Sequence, residues 1–353
     1  MTVSALTRPG ERDRLVVKFT QIDWTFVIAL CLLAGTGSLM MFSVAGSSWE
    51  PWAGAHLFRF GFCLILMIAL ALFDIRVWFA LAYPIYGLGL ALLVAVELFG
   101  DTRMGATRWL DLGFMSFQPS EVMKVGIVLA LARFYHGVSA ENARLSWWLL
   151  IPTLMIGAPV LLVAHQPDLG TAMLIALTGA VIVVLAGLSW RIIGAAVLAF
   201  VVAVPPMVMF VMHDYQRKRV LTFLNPESDP SGSGYHILQS KIALGSGGFF
   251  GKGYGLGSQS QLNFLPEKHT DFIFATLAEE FGFLGCASVL ALFAAVVFMD
   301  LRAASLAHSH FGRLAAAGVT ATFTLYILIN GAMVMGLDRK STRLNSSHVL
   351  IPY

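Results

Sequence analysis

Nine sparsely charged stretches run through the chain: Trp24–Ala45, Ala55–Phe73, Val77–Phe99, Phe117–Tyr135, Trp147–Ala164, Leu169–Leu188, Arg191–Met212, Asp271–Met299 and Leu314–Leu337. An α-helix needs about 20 apolar residues to cross a hydrocarbon core roughly 30 Å thick, and these stretches have that length. In lipid every backbone amide must be satisfied inside the protein, which leaves helical bundles and closed barrels. A barrel is excluded, because its strands would be short and would alternate in polarity. Composition agrees: 58% of the 353 residues are hydrophobic and only 12% are charged, about half the charged share of a soluble domain. The expected fold is therefore all-α, a polytopic integral membrane protein with about nine spans.

Cys31, Cys63 and Cys286 all lie inside these stretches, as an odd trio of small buried hydrophobes would, rather than a disulfide framework or a metal site. The first apolar run has the length of a span, so no cleavable signal is expected. Orientation follows from the basic residues. With residues 1–22 in the cytoplasm, the inner loops and flanks collect Arg8, Arg12, Arg14, Lys18, Arg76, Arg133, Arg144, Arg191, Arg302 and Arg313. The short outer loops hold chiefly Arg59, Arg103 and Arg108. The positive-inside rule thus places the N-terminus inside and makes His213–Thr270 (213–270) one large extracytoplasmic loop. The formal charge of +3 says little by comparison, and nothing points to nucleic acid.

Ionisable residues are expensive at membrane depth, at about 2.5 to 3.5 kcal/mol each on insertion scales, so their positions need a reason. Three segments place them at or near the outer edge. The first is Arg108-Trp109-Leu110 followed by Phe117-Gln118-Pro119-Ser120-Glu121-Val122-Met123-Lys124, where Glu121 and Lys124 stand at i and i+3 and can pair on one helix face. That pair serves either to orient the helix or to line a site. The second is His165-Gln166-Pro167-Asp168-Leu169-Gly170-Thr171, a tight turn in which Asp168 either caps the next helix or faces a cavity. The third is Leu265-Pro266-Glu267-Lys268-His269-Thr270-Asp271-Phe272, which sets Asp271 at the mouth of a span. By this topology Arg108, Glu121, Lys124, Asp168 and Asp271 belong to the outer half of the bundle and suggest a polar cavity opening outward. Mixed charge of this kind suits an anionic substrate with a hydroxyl to activate, but also proton coupling in a transporter.

In the large loop, Arg217-Lys218-Arg219 fits headgroup anchoring or a grip on a lipid diphosphate. Tyr235–Leu244 can form a short interfacial helix. The run Gly245-Ser246-Gly247-Gly248-Phe249-Phe250-Gly251-Lys252-Gly253 fails as a P-loop, because Ser246 and Gly253 occupy places that require Gly and Ser or Thr. A flexible, close-packing loop is expected there instead.

These motifs, in this order, resemble the SEDS family of peptidoglycan polymerases, and within it the rod-shape-determining RodA type. The matching stretches are Arg108-Trp109-Leu110, Phe117–Glu121, Gln166–Thr171, Arg219–Pro226, Gly245–Gly253 and Phe264–Phe272; Gln259-Ser260-Gln261-Leu262 looks like the elongation branch. Similarity covers roughly Asp23–Gly336, so a transmembrane domain over 23–337 is expected. The resemblance implies a glycosyltransferase that polymerises lipid II during cell elongation at the outer face of the bacterial cytoplasmic (inner) membrane. It also implies a class B penicillin-binding protein, the transpeptidase, as partner among the elongation machinery. The family's essential aspartate falls on Asp271. Its supporting positions fall on Glu121, Lys124 and Asp168, with Arg108, His269 and Gln166 beside them. A divalent cation (Mg or Mn) could share the phosphate charge, although no ligand spacing establishes one.

The chain departs from the family after Gly336-Leu337. Relatives continue into a tenth helix, whereas residues 338–353 resemble translated sequencing-adapter sequence and are expected to be non-native. Two rival functions stand beside the polymerase: a lipid II flippase, which should show internal repeats and polar groups on both faces, and a noncatalytic membrane scaffold for the penicillin-binding protein. No convincing repeat is visible, and the ionisable motifs concentrate on one face.

Overall fold

In a computed structural model of the chain the described residues are 18–103, 106–111, 116–138, 146–206, 217, 233–262, 264 and 268–335. The long helices are α1 (Trp24–Val44), α2 (Ala53–Ala71), α3 (Ile75–Phe99), α4 (Pro119–His136), α5 (Leu150–His165), α6 (Leu169–Leu185), α7 (Trp190–Pro206), α10 (Ile273–Leu306) and α11 (His310–Met335). They correspond one for one with the nine expected spans. Five of them, α1, α2, α3, α10 and α11, are long and apolar enough to cross a membrane, and α5 and α6 are shorter apolar helices. Between α7 and α10 lie α8 (Ser233–Ser246) and the single turn α9 (Ser258–Gln261). The interfacial helix expected at Tyr235–Leu244 is α8, one turn longer in total. Residues 207–216, 218–232 and 336–353, which hold the end of the seventh expected span, most of the basic triplet and the anomalous tail, lie outside the described residues.

Three differences from the sequence expectation have physical causes. A small antiparallel sheet of β1 (Asp101–Arg103), β2 (Ala106–Asp111) and β3 (Ser116–Phe117) occupies the connection between α3 and α4. Strands this short carry too little alternation to be seen by periodicity. Helix α10 starts at Ile273, so Asp271 and Phe272 stay in the preceding turn, and it runs on past the charged Asp300 and Arg302 to Leu306. Hydropathy marks where lipid ends rather than where a helix does. Finally, Cys31 and Cys63 are exposed and Cys286 only half-buried, which corrects their reading as buried; all three are free thiols. An apolar residue on a membrane helix can face lipid, so apolar surroundings in sequence do not imply burial in protein.

The chain divides into two compact units. The first comprises 1–38, 53–199 and 290–326, and the second 39–52, 200–289 and 327–353. In the first unit α3, α4, α5 and α6 share a core in which Leu93, Met123, Ile127, Val163 and Ile175 are fully buried. The α3–α4 crossing is close because it is built on glycine: a Cβ on Gly126 would lie 3.1 Å from the Tyr86 Cα, and one on Gly89 would lie 2.8 Å from the Met123 Sδ. Small residues at such crossings let backbones approach where no hydrophobic force drives helices together. The C-terminal turn of α4 is tied to α3 by Arg133, which donates to the carbonyls of Phe79 (2.8 Å) and Ala80 (3.0 Å). Its guanidinium also lies over the Phe79 and Tyr83 rings, at 4.7 and 4.5 Å. In the second unit Ala243 of α8 packs with Phe272, Ala275 and Val334. The Ser240 hydroxyl donates to the Val334 carbonyl at 2.8 Å across the same contact.

Candidate active site

The first unit holds five of the seven residues singled out from sequence, as a Glu121–Lys124 pair and an Arg108–Asp168 pair with Gln166 beside it. Pro119 opens α4 at a position that needs no amide donor. Glu121 and Lys124 then fall on one face, with Nζ 2.8 Å from Oε1. Lys124 is 4% exposed, whereas the Glu121 side chain is 57% exposed. The ammonium also stands over the Tyr326 ring, 4.4 Å from its centroid, a partner invisible in the sequence. A carboxylate on one side and a π face on another are what allow a cation to be buried here.

Asp168 takes the capping alternative and adds an ion pair to it. It caps α6, accepting from the Thr171 amide at 3.2 Å, and it receives Arg108 of β2, whose Nη1 is 3.8 Å from Oδ2. Arg108 also donates to the Pro167 carbonyl, at 3.5 Å. Gln166 is buried, and its amide donates to the Leu93 carbonyl at 2.9 Å, pinning the end of α5 to α3. That contact explains Gln166 as a support for the turn that carries Asp168. Two buried atoms of this group, Arg108 Nε and Ser120 Oγ, have no hydrogen-bond partner. Buried polar atoms of this kind are uncommon and call for an explanation.

Asp271 and His269 belong to the second unit. Asp271 is exposed, in the turn directly before α10. Its neighbours are anchored. Phe272 is 6% exposed and packs into the core of the unit, and the His269 ring stacks on Trp52 with centroids 4.4 Å apart and planes 11° apart. Burial pushes the Lys268 ammonium below its ordinary pKa. His269 is therefore a fixed element of the turn, held by an aromatic partner more than 200 residues earlier that sequence reasoning had no means to pair with it.

One cluster was missed from the sequence. Glu279 and Glu280 of α10 are buried, at 0% and 1% exposure. Glu279 Oε1 accepts from Lys252 Nζ (2.7 Å) and the Ser258 hydroxyl (2.9 Å), and the Gln259 amide donates to both of its oxygens at 3.1 Å. Glu280 accepts from the Ser43 hydroxyl at 2.5 Å. The available signal was two adjacent carboxylates inside an apolar helix, which by default marks a functional position. The glycine run is close-packed, as expected, but backbone hydrogen bonds with α10 hold it in place, so the expected flexibility is replaced by a pinned backbone. Among the described residues no three His, Cys, Asp or Glu side chains gather as metal ligands.

A family model described as a cell cycle protein, covering FtsW, RodA and SpoVE, matches residues 22–338. The chain belongs to this family. It is 44% identical over 320 residues to the peptidoglycan glycosyltransferase MrdB of Escherichia coli K12, an alignment covering 90% of this chain and 85% of MrdB. It is 37% identical over 269 residues to a probable peptidoglycan glycosyltransferase FtsW of Trichlorobacter lovleyi, covering 75% of this chain and 69% of that one. Among solved structures, a chain of a peptidoglycan synthase complex, described as coordinating polymerization and crosslinking, matches with a TM-score of 0.79 and 29% identity. That match covers 90% of this chain and 88% of the other. The rod shape determining protein RodA of Thermus thermophilus matches with a TM-score of 0.65 and 26% identity, over 89% of this chain and 86% of that one. The SEDS family and RodA type expected from the motifs are thus the family and type found, and the fold is that of helical membrane proteins.

Proposed function

We propose that the chain is a peptidoglycan glycosyltransferase that polymerises lipid II into glycan strands during cell elongation, with Asp271 as its general base. The observation that carries the activity is 44% identity to MrdB across 90% of the chain. The physical chemistry supports the assignment of roles. The donor's anomeric carbon bears an α-linked diphosphate and the product is β-linked, so one inverting displacement suffices. The acceptor 4-hydroxyl loses its proton to the Asp271 carboxylate as its oxygen bonds to the anomeric carbon. The bond to the diphosphate breaks, and the electron pair leaves with it. Asp271 suits the base because it is exposed on a turn fixed from both sides, by the Trp52–His269 stack and by buried Phe272.

The leaving diphosphate needs positive charge more than it needs a proton. Lys124 and Arg108 supply that charge. Glu121 holds Lys124, while Asp168 and Gln166 hold the turn against which Arg108 rests. In this reading the chain lies in the bacterial cytoplasmic membrane with its N-terminus inside and its chemistry outside. It works beside a class B penicillin-binding protein, as the match to a synthase complex supports. A divalent cation would share the phosphate charge with these two cations.

The test is polymerisation of labelled lipid II by the purified protein with its transpeptidase partner, run beside a liposome assay of lipid II transport. Polymer formation is expected. Transport without polymer would replace this function with the flippase. Within the same assay Lys124→Met, which keeps the stem and removes the charge, is expected to lower the polymerisation rate by about 10²-fold. A rate within about threefold of wild type would remove Lys124 from the machinery.

A further inference from the structure

The ladder of α10 is broken at Gly282, whose φ of 64° and ψ of −158° are not helical. In a continuous helix the amides of Phe283 and Leu284 would donate to the carbonyls of Glu279 and Glu280. Here the glycine run takes both sides of that exchange. The amides of Lys252 and Gly253 donate to the carbonyls of Glu279 (2.9 Å) and Glu280 (3.0 Å). The amides of Phe283 and Leu284 donate to the carbonyls of Gly248 (2.9 Å) and Phe249 (3.2 Å). Irregular backbone of this kind is tolerated in a membrane protein only where other protein satisfies it. A charge-assisted contact closes the insertion, between Lys252 Nζ and the fully buried Glu279 at 2.7 Å. The same loop reaches the end of α1: the Tyr254 hydroxyl donates to the Leu39 carbonyl at 2.9 Å, and the Gln261 amide to the Ser43 carbonyl at 3.1 Å.

We propose that Lys252, Glu279 and the inserted glycine loop form a positioning latch that fixes the direction of the first part of α10, and with it the placement of the Asp271 carboxylate. The proposal rests on Asp271 acting as the base. A helix interrupted at a glycine can pivot there, and Ile273–Phe281 is the short arm of that pivot, with Asp271 two residues beyond its free end. Two backbone bonds and the ion pair of Lys252 with buried Glu279 tie the arm to the loop, and two further backbone bonds tie the loop to α10 beyond the break. Lys252 and Glu279 act through Asp271 and touch no reacting atom, so they are positioning residues. Their loss should slow the chemical step, since displacing a catalytic group by about 1 Å can cost about 10²-fold, while substrate binding stays as it was.

The experiment measures initial rates of lipid II polymerisation against substrate concentration for the full chain with its transpeptidase partner, comparing wild type, Lys252→Met, Lys252→Arg and Ser258→Ala. Lys252→Met is expected to lower kcat by about 10-fold to 100-fold with KM within about twofold of wild type, and Lys252→Arg to recover most of the loss. An unchanged kcat in Lys252→Met overturns the latch. So does a raised KM at unchanged kcat, which would mean direct substrate contact, and so does an equal loss in Lys252→Arg. If Lys252→Met fails to accumulate as folded protein, Ser258→Ala decides: it removes one donor to Glu279 and keeps the ion pair. It is expected to lower kcat by about threefold at constant KM, and wild-type kinetics from it would overturn the proposal. Wild-type protein that makes no polymer overturns the function and the latch together, whereas active wild type with an unaffected Lys252→Met overturns the latch alone.

Discussion

Asp271→Asn is expected to reduce glycan polymerisation by about 10²-fold to 10⁴-fold, the range lost when a general base is removed. The substitution preserves shape and hydrogen-bonding reach but cannot accept the acceptor's proton. Asp271 is exposed in a turn whose anchors are its neighbours, Phe272 in the core and His269 on Trp52. Its replacement should therefore leave folding within about 0.5 kcal/mol of wild type. The measurement is polymer formed from labelled lipid II per unit time, with thermal unfolding in detergent as the control on folding. Polymer at more than about one third of the wild-type rate from a normally folded variant would end the assignment of Asp271 as base and favour a scaffold. A scaffold should tolerate this change.

The second large effect concerns stability. Gly251→Ala should cost about 2–5 kcal/mol. Its φ of +82° lies in the left-handed region, where a Cβ costs about 1–2 kcal/mol. That Cβ would also sit 2.1 Å from the Glu280 carbonyl oxygen, and overpacking adds about 1–3 kcal/mol. Gly247→Ala isolates the steric part, since its Cβ would lie 1.9 Å from the Ala278 oxygen. Gly245→Ala is the internal control. Nothing lies within 4 Å of a Cβ there, and the residue is inside α8, so alanine should be neutral or stabilising by up to about 1 kcal/mol. Unfolding in detergent compared across the three variants reads the differences. Equal stability of Gly251→Ala and Gly245→Ala would mean that the loop is not seated in α10.

What the sequence made legible follows from the range of each interaction. The spans are readable because lipid imposes one strong local rule, and each long helix except α11 begins within three residues of the expected place. The Glu121–Lys124 pair and the Asp168 cap were readable because helix geometry brings i and i+3 together and leaves first-turn amides open. Tyr326 beneath Lys124 and Trp52 behind His269 were not, since each partner lies hundreds of residues away and no local rule pairs them. Lys252 and Glu279 escaped as well. The glycine run has no P-loop spacing to give its lysine a local role, and Glu279 lies 27 residues further on, beyond the reach of any local rule. The exposed cysteines show that hydrophobicity in a membrane chain reports the neighbourhood of lipid as readily as that of protein.

The glycine run and the broken part of α10 also constrain how this protein can be rebuilt. Gly248 and Phe249 meet Phe283 and Leu284, and Lys252 and Gly253 meet Glu279 and Glu280, like teeth on two matched keys. Adding or removing one residue between Gly248 and Lys252 would misalign the pairs on one side of the break while leaving the other intact. A chimaera with a related polymerase would therefore have to exchange both segments as one cassette, although more than 20 residues separate them in the chain.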